Sequence, residues 1–269
     1  MKTNKLLVLL ISLLTLCLLI MLFLRLRIKN NPIENRDLPE IKKENTLNVV
    51  TEYNSVDYYV SGDTISGMQY ELCKYIGKRS GLTVRIYLEN NMDISIKGLE
   101  DKTFDIIARN IPITNDNKHF LVFTIPVTQN KQVLVQRKPL ENEPTDFVDN
   151  QIALANKTVY VTQNSPAILR LKNLSEEIAE AIFIEEITAY TSEQLIYMVA
   201  QKEIDYAVVD KEIALKNTGL FPELDFDTDI SFTQLQAWAV RKTSPVLLDS
   251  LNGWIKDFKL DKSKRIKNT

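Results

Sequence analysis

From Thr46 onward the chain alternates short apolar runs with stretches of helical period, and it does so twice. In the first series, residues 47–51, 83–87 and 104–108 read as strands. Between them Met68, Leu72 and Ile76 recur at helical spacing, and residues 94–99 form a shorter helical stretch. Strands separated by helices cannot close as hairpins, so this β-α-β-α-β order predicts a parallel sheet with crossover helices. The second series follows the β run QVLVQ at 132–136: strands at 158–161, 181–184 and 205–209, with helices at 166–173 and 193–201. Helix starts are marked by Ser165 with Pro166, by Thr191 with Gln194 as a capping box, and by Ser244 with Pro245. In the closing helix Leu247, Leu251, Trp254 or Ile255, and Phe258 lie on one stripe.

The start of the chain is different. Residues 6–24 are apolar except Ser12 and Thr15, about the length that crosses a bilayer. The stretch is long for the core of a cleaved signal, and no small-x-small site follows it, so residues 1–29 are read first as a membrane anchor, second as a cleaved signal. A lipoprotein at Cys17 ranks third, because Leu16 stands where a small residue is required. Residues 30–45, polar with two prolines, read as a linker.

Removing the five basic residues of the anchor leaves 28 basic against 35 acidic. A body of that sign has no reason to seek a phosphate backbone, which argues against nucleic acid as a partner. One histidine, His119, and two cysteines offer no basis for a histidine or cysteine metal site, nor for a nucleophile-histidine pair. Seven glycines, none in a Gly-rich turn after a strand, offer no nucleotide-phosphate loop. No cofactor is implied.

In open α/β sheets, ligands bind outside the carboxyl ends of the strands. Polar residues gather at those ends. Tyr53 and Asn54 follow the first strand, Arg109 and Asn110 follow FDIIA, Asn164 and Ser165 open a helix after the strand at 158–161, and Asp210 ends DYAVVD. Each has an ordinary structural explanation, as a solvated strand end, a cap or a rim aromatic. Their coincidence at strand ends favours one site.

The order and spacing of TLNVVTEYNSVDYYV, TFDIIARNIPIT, FTIPV, VYVTQNSPAILRL and KEIDYAVVDKEIAL resemble the type 2 periplasmic solute-binding proteins, the family-3 amino-acid binders. Within that group QVLVQRK, EIDYAVVD and FPELDFDTDIS are similar to the binding domain of the membrane-bound lytic murein transglycosylases. The resemblance implies two α/β lobes joined by two hinge crossings: lobe 1 from 46–136, lobe 2 from 137–224, a hinge return with the rest of lobe 1 from 225–262, and a tail at 263–269. It implies placement outside the cytoplasmic membrane in the periplasm, tethered by the single N-terminal helix, and a permease or a cell-wall enzyme as partner. It also implies ligand-contacting roles for Tyr53, Arg109, Asn110, Asn117, Asn164, Ser165 and Asp210, with Asp210 taking an ammonium.

The family pattern G-x-T-x-T-x-x-R after the third strand departs here to Asn110, Pro112, Thr114 and Asn117. The arginine that clamps an α-carboxylate is thus replaced by Asn117, which has neither its charge nor its fork of donors. The expectation is therefore a small amine-bearing solute with a different acidic end, bound by lobe closure. The chain ends at Thr269, where the transglycosylases continue into a catalytic domain, so no enzyme is expected. The alternatives are a ligand-free scaffold for cell-wall enzymes and, ranked lower, a transglycosylase-like enzyme.

Overall fold

The computed structural model describes residues 14–17, 19–21, 36–139, 146–188 and 190–267. The chain divides into two units, Met1–Asn35 and Arg36–Thr269. In the first, the described residues are helical and exposed. The expected anchor lies mostly outside the described residues, and among those described no helix is long and apolar enough to cross a membrane.

The second unit opens with α1 (Leu38–Glu44), where the sequence reading placed a linker. Asp37 makes this helix possible. Its side chain accepts from the Leu38 amide at its own N-terminus, and from the Leu247 and Val246 amides of a distant helix. Glu40 completes a capping box, and Leu38 and Ile41 are buried. One turn of apolar residues was too short to show as a period, yet tertiary contacts secure it.

Then follow β1 (Thr46–Thr51), the hairpin β2 (Tyr59–Ser61) and β3 (Thr64–Ser66), α2 (Met68–Ser80), β4 (Thr83–Leu88), α3 (Met92–Glu100), β5 (Ile106–Pro112), α4 (Asn115–Phe120), β6 (Val122–Phe123) and β7 (Thr128–Asn130). The second series holds β8 (Gln132–Arg137), a 3-10 turn at Gln151–Leu154, β9 (Thr158–Thr162), α5 (Ala167–Ile178), β10 (Phe183–Ile187), α6 (Ser192–Ala200), β11 (Ala207–Asp210), α7 (Lys211–Asn217) and β12 (Leu224–Asp225). The chain then returns through β13 (Gln234–Val240) to α8 (Pro245–Lys267).

Two separate sheets result, ordered β4-β1-β5-β13-β6 and β10-β9-β11-β8-β12. In the first, β1 pairs parallel with β4 and β5, while β13 closes antiparallel on β5. In the second, β9 pairs parallel with β10 and β11, and β8 runs antiparallel to β11. In each sheet two adjacent parallel strands, β1 and β5 in the first and β9 and β11 in the second, send their connections to opposite sides, and a crevice opens at such a point. The chain crosses from the first sheet to the second at Lys131 and returns through 226–233. The two crossings are tied together where the Ile230 amide donates to the Gln132 carbonyl at 2.8 Å and the Gln132 amide to Ser231 Oγ at 2.9 Å.

Strand alternation places a core on each face of each sheet. Leu47, Val49, Ile106, Ala108 and Trp238 pack against α2 and α8, while Val50, Ile107, Ile111 and Ala239 face Leu99 of α3. In the second sheet Val133 and Val135 face α6 and α7, while Leu134 faces α5. β5 runs past the predicted end at Ala108 to Pro112, because β13 pairs with Ile111 and Pro112 after a register shift. Arg109 and Asn110 are therefore strand residues on opposite faces.

Candidate functional site

The loops after β1, β4 and β5 of the first lobe face the loops after β9 and β10 and the start of α6 in the second. Between them lies a cleft of about 400 Å³, lined among others by Glu52, Tyr53, Asn90, Arg109, Asn164, Thr191 and Glu193. Two hydrogen-bonded contacts cross it. The Ser55 amide and hydroxyl donate to Glu193 Oε1 at 2.8 and 2.9 Å, and Asn164 Nδ2 donates to Asp93 Oδ2 at 3.0 Å. Val56, from the loop after β1, packs onto the α6 and α7 core of the other lobe.

Of the sequence-predicted residues, the structure brings Tyr53, Arg109 and Asn164 into the cleft lining. Tyr53 is held by its amide on Asn90 Oδ1 and leaves its ring half exposed. Arg109 is shared between Glu52, at 2.7 Å from Nη2, and the Asn90 carbonyl, at 3.1 Å from Nη1. Asn164 sits in the left-handed region, φ 57°, which asparagine tolerates.

Asn110 points the other way. Its Nδ2 donates to Asp57 Oδ1 at 2.9 Å, and its Oδ1 accepts from Gln69 Nε2 at 2.8 Å, behind the cleft lining. Asn117 and Ser165 are not in the lining. Asn117 Nδ2 turns back to the Pro112 carbonyl, and Ser165 Oγ accepts from the Ala167 amide at the start of α5. Both are spent on the local backbone, as asparagine and serine at helix starts commonly are. Asp210 is not in the lining either: it ends β11 and accepts at Oδ1 from Gln132 Nε2 at 2.8 Å. Glu52 and Arg109 are close enough to act on its carboxyl.

Asp57, 2% exposed, was not singled out by any sequence pattern. It accepts from Asn54 Nδ2, Gln69 Nε2 and Asn110 Nδ2, while Trp238 Nε1 donates to Gln69 Oε1. Gly67 permits this assembly. At φ +124° it lets α2 begin against the Asp57 carbonyl, where an added Cβ would lie 2.3 Å from that oxygen. A lone aspartate in a loop carries no pattern. Glu52 and Glu193, also missed, had the weak signal of standing just past a strand and in the first turn of a capped helix.

Burial pushes the Asp57 carboxyl up to about 7; Glu52 adds to the rise, and the amide donors oppose it. Burial pushes Asp210 up to about 6, with Glu52 and Glu212 raising it and Gln132 and Arg109 lowering it. A folded state that holds a proton more tightly than the unfolded chain gains stability as pH falls. The contribution of Asp57 is thus full below about pH 4 and lost as pH rises through about 7. Denaturant melts between pH 5 and 7 should give Asp57→Asn a stability slope more positive than wild type by up to about 1.4 kcal/mol per pH unit. Equal slopes would contradict the assignment.

Residues 46–269 match the bacterial extracellular solute-binding proteins, family 3. The chain belongs to this family. Among its curated relatives are proteins named membrane-bound lytic murein transglycosylase F from Desulfosudis oleivorans and from Saccharophagus degradans. The first is 27% identical over 83% of this chain and 48% of its own length, the second 26% identical over 82% and 43%. The chain thus spans about half the length of the curated relatives it matches. Solved structures share the fold. Holo ArgBP from T. maritima superposes with a TM-score of 0.69 at 23% identity, over 82% of this chain and 94% of its own. An L-arginine-bound amino-acid-transporter substrate-binding protein, AbpA from Streptococcus pneumoniae, gives 0.70 at 18% over 86% and 95%. An ancestral amino-acid-binding protein described as a precursor of cyclohexadienyl dehydratase gives 0.70 at 23% over 84% and 94%. The family and its two-lobed fold agree with the reading of the sequence.

Proposed function

We propose that this solute-binding protein captures or senses a small amine-bearing ligand outside the cytoplasmic membrane, signalling through closure of its two lobes. The observation that carries this reading is the convergence of strand ends from both sheets on one cleft rich in carboxylates. Glu52, Glu89 and Glu193 line it, Asp210 lies close to Glu52, and the one guanidinium that lines it among the described residues, Arg109, is already paired. Ligand shifts the open–closed balance only by binding one state better, and groups from both lobes contact a ligand together only when closed. Asp210 takes the ammonium in this reading, and the Tyr53 ring covers the apolar part of the ligand.

The family and the arginine-binding neighbours support binding without catalysis. The apolar segment 6–24 and the relatives named membrane-bound support a tether at the inner membrane, with the body in the periplasm. The likeness to relatives named murein transglycosylases supports a peptidoglycan-derived amine as a candidate ligand and a cell-wall enzyme as a candidate partner; the likeness to a transporter-type neighbour supports a permease as the other. A thermal-shift panel of free amino acids, amines and muropeptides tests the reading. At a ligand concentration of about 100 Kd, stabilisation reaches about 2.7 kcal/mol, a rise of several degrees. A panel that never raises the melting temperature contradicts it.

A further inference from the structure

The charges in the cleft are unbalanced in a way that selects which end of a ligand enters. A guanidinium grips a ligand carboxylate through two parallel N–H donors. In Arg109 donors on both terminal nitrogens are already directed to protein acceptors, Glu52 Oε2 and the Asn90 carbonyl oxygen. Among the described residues no other cationic side chain lines the cleft, whereas Glu52, Glu89 and Glu193 do.

A separate observation points the same way. Gln132, 1% exposed, spends its Nε2 on Asp210 Oδ1 and leaves Oε1 without a partner. Buried acceptors are ordinarily satisfied, so the Gln132 amide oxygen can take an N–H from a bound ligand. The Asp210 carboxylate, behind the lining and near enough to feel Glu52, and the Gln132 amide oxygen are acceptors that suit an N–H cation better than an anion.

We propose that the ligand end seated between the Glu52–Arg109 pair and the Asp210–Gln132 pair is an ammonium or guanidinium with no free carboxylate beside it. The cleft then prefers a diamine or an amide-capped cation to a free α-amino acid. This rests on the amine-binding reading above and narrows it.

Agmatine and L-arginine test it, since they share a guanidinium and chain and differ in the carboxylate. Calorimetric titration of the full-length chain in detergent should give agmatine an affinity higher by roughly tenfold or more. Glu52→Ala releases Arg109 Nη2, leaving Nη1 on the Asn90 carbonyl, and should narrow the gap to about threefold or less by strengthening arginine binding. The melting temperature of that variant, recorded alongside, shows that it is folded.

Arginine binding as tightly as agmatine to the unmodified protein overturns the proposal and leaves amine binding standing. An unchanged gap in folded Glu52→Ala overturns the role given to the Glu52–Arg109 pair. Failure of agmatine, arginine, cadaverine and lysine amide alike to bind overturns both the proposal and the reading beneath it.

Discussion

Replacing Asp105 by alanine should destabilise the folded body by about 3–5 kcal/mol, the cost of removing one partner from a buried ion pair. Asp105 is fully buried and accepts four hydrogen bonds: from Arg36 Nε at 2.7 Å, Arg36 Nη2 at 3.1 Å, Arg241 Nη2 at 3.1 Å and the Asn48 amide at 2.9 Å. Without the carboxylate, the buried Arg241 guanidinium loses its ion-pair partner, and Arg36 keeps only its more exposed pairing with Glu44. Arg241 has little freedom to leave, because its other donors hold the carbonyls of Leu99, Phe104 and Arg36. Asp105→Asn keeps an acceptor and should cost less. Urea denaturation measures both, and a loss under about 1 kcal/mol for the alanine variant would show that the cluster relaxes or hydrates.

Asp210→Asn should lower affinity for a cationic ligand by roughly 10- to 150-fold, since a hydrogen bond to a charged acceptor contributes about 1.5–3 kcal/mol. The asparagine is nearly isosteric and can still meet Gln132, so folding should be retained. The same site predicts a pH effect of opposite sense to that on stability. Ligand cation favours ionised Asp210, so affinity should rise with pH up to about 6 and level off above it. Calorimetry at pH 5, 6 and 7.5 reads both effects. Unchanged affinity in the variant places the ammonium elsewhere.

The fold was legible because strand and helix periods are properties of contiguous residues, and both β-α-β series stand within one or two residues of most of the elements they predict. The errors lie where distant residues decide. α1 exists because Asp37 also caps α8, and β5 reaches Pro112 because β13 pairs with it, neither of which is encoded locally. The site was legible in its lining and not in its chemistry. A strand end marks Tyr53 and Arg109, but nothing in the sequence says that Arg109 is taken by Glu52. Adjacent Arg109 and Asn110 looked like one feature, yet alternation sends one to the cleft and the other to the buried Asp57 network. Asn117 and Ser165 carried the expectation of the family pattern, and each is instead bonded to its own helix start.

The central claim is that the two lobes share a single ligand site at their strand ends. Amide hydrogen exchange of the full-length chain with and without saturating agmatine tests it most directly. The account predicts slowed exchange at once in residues 52–56 of the first lobe and in 163–165 and 190–193 of the second, with both effects lost in Asp210→Asn. Protection confined to one lobe, or to surfaces away from these loops, would contradict it.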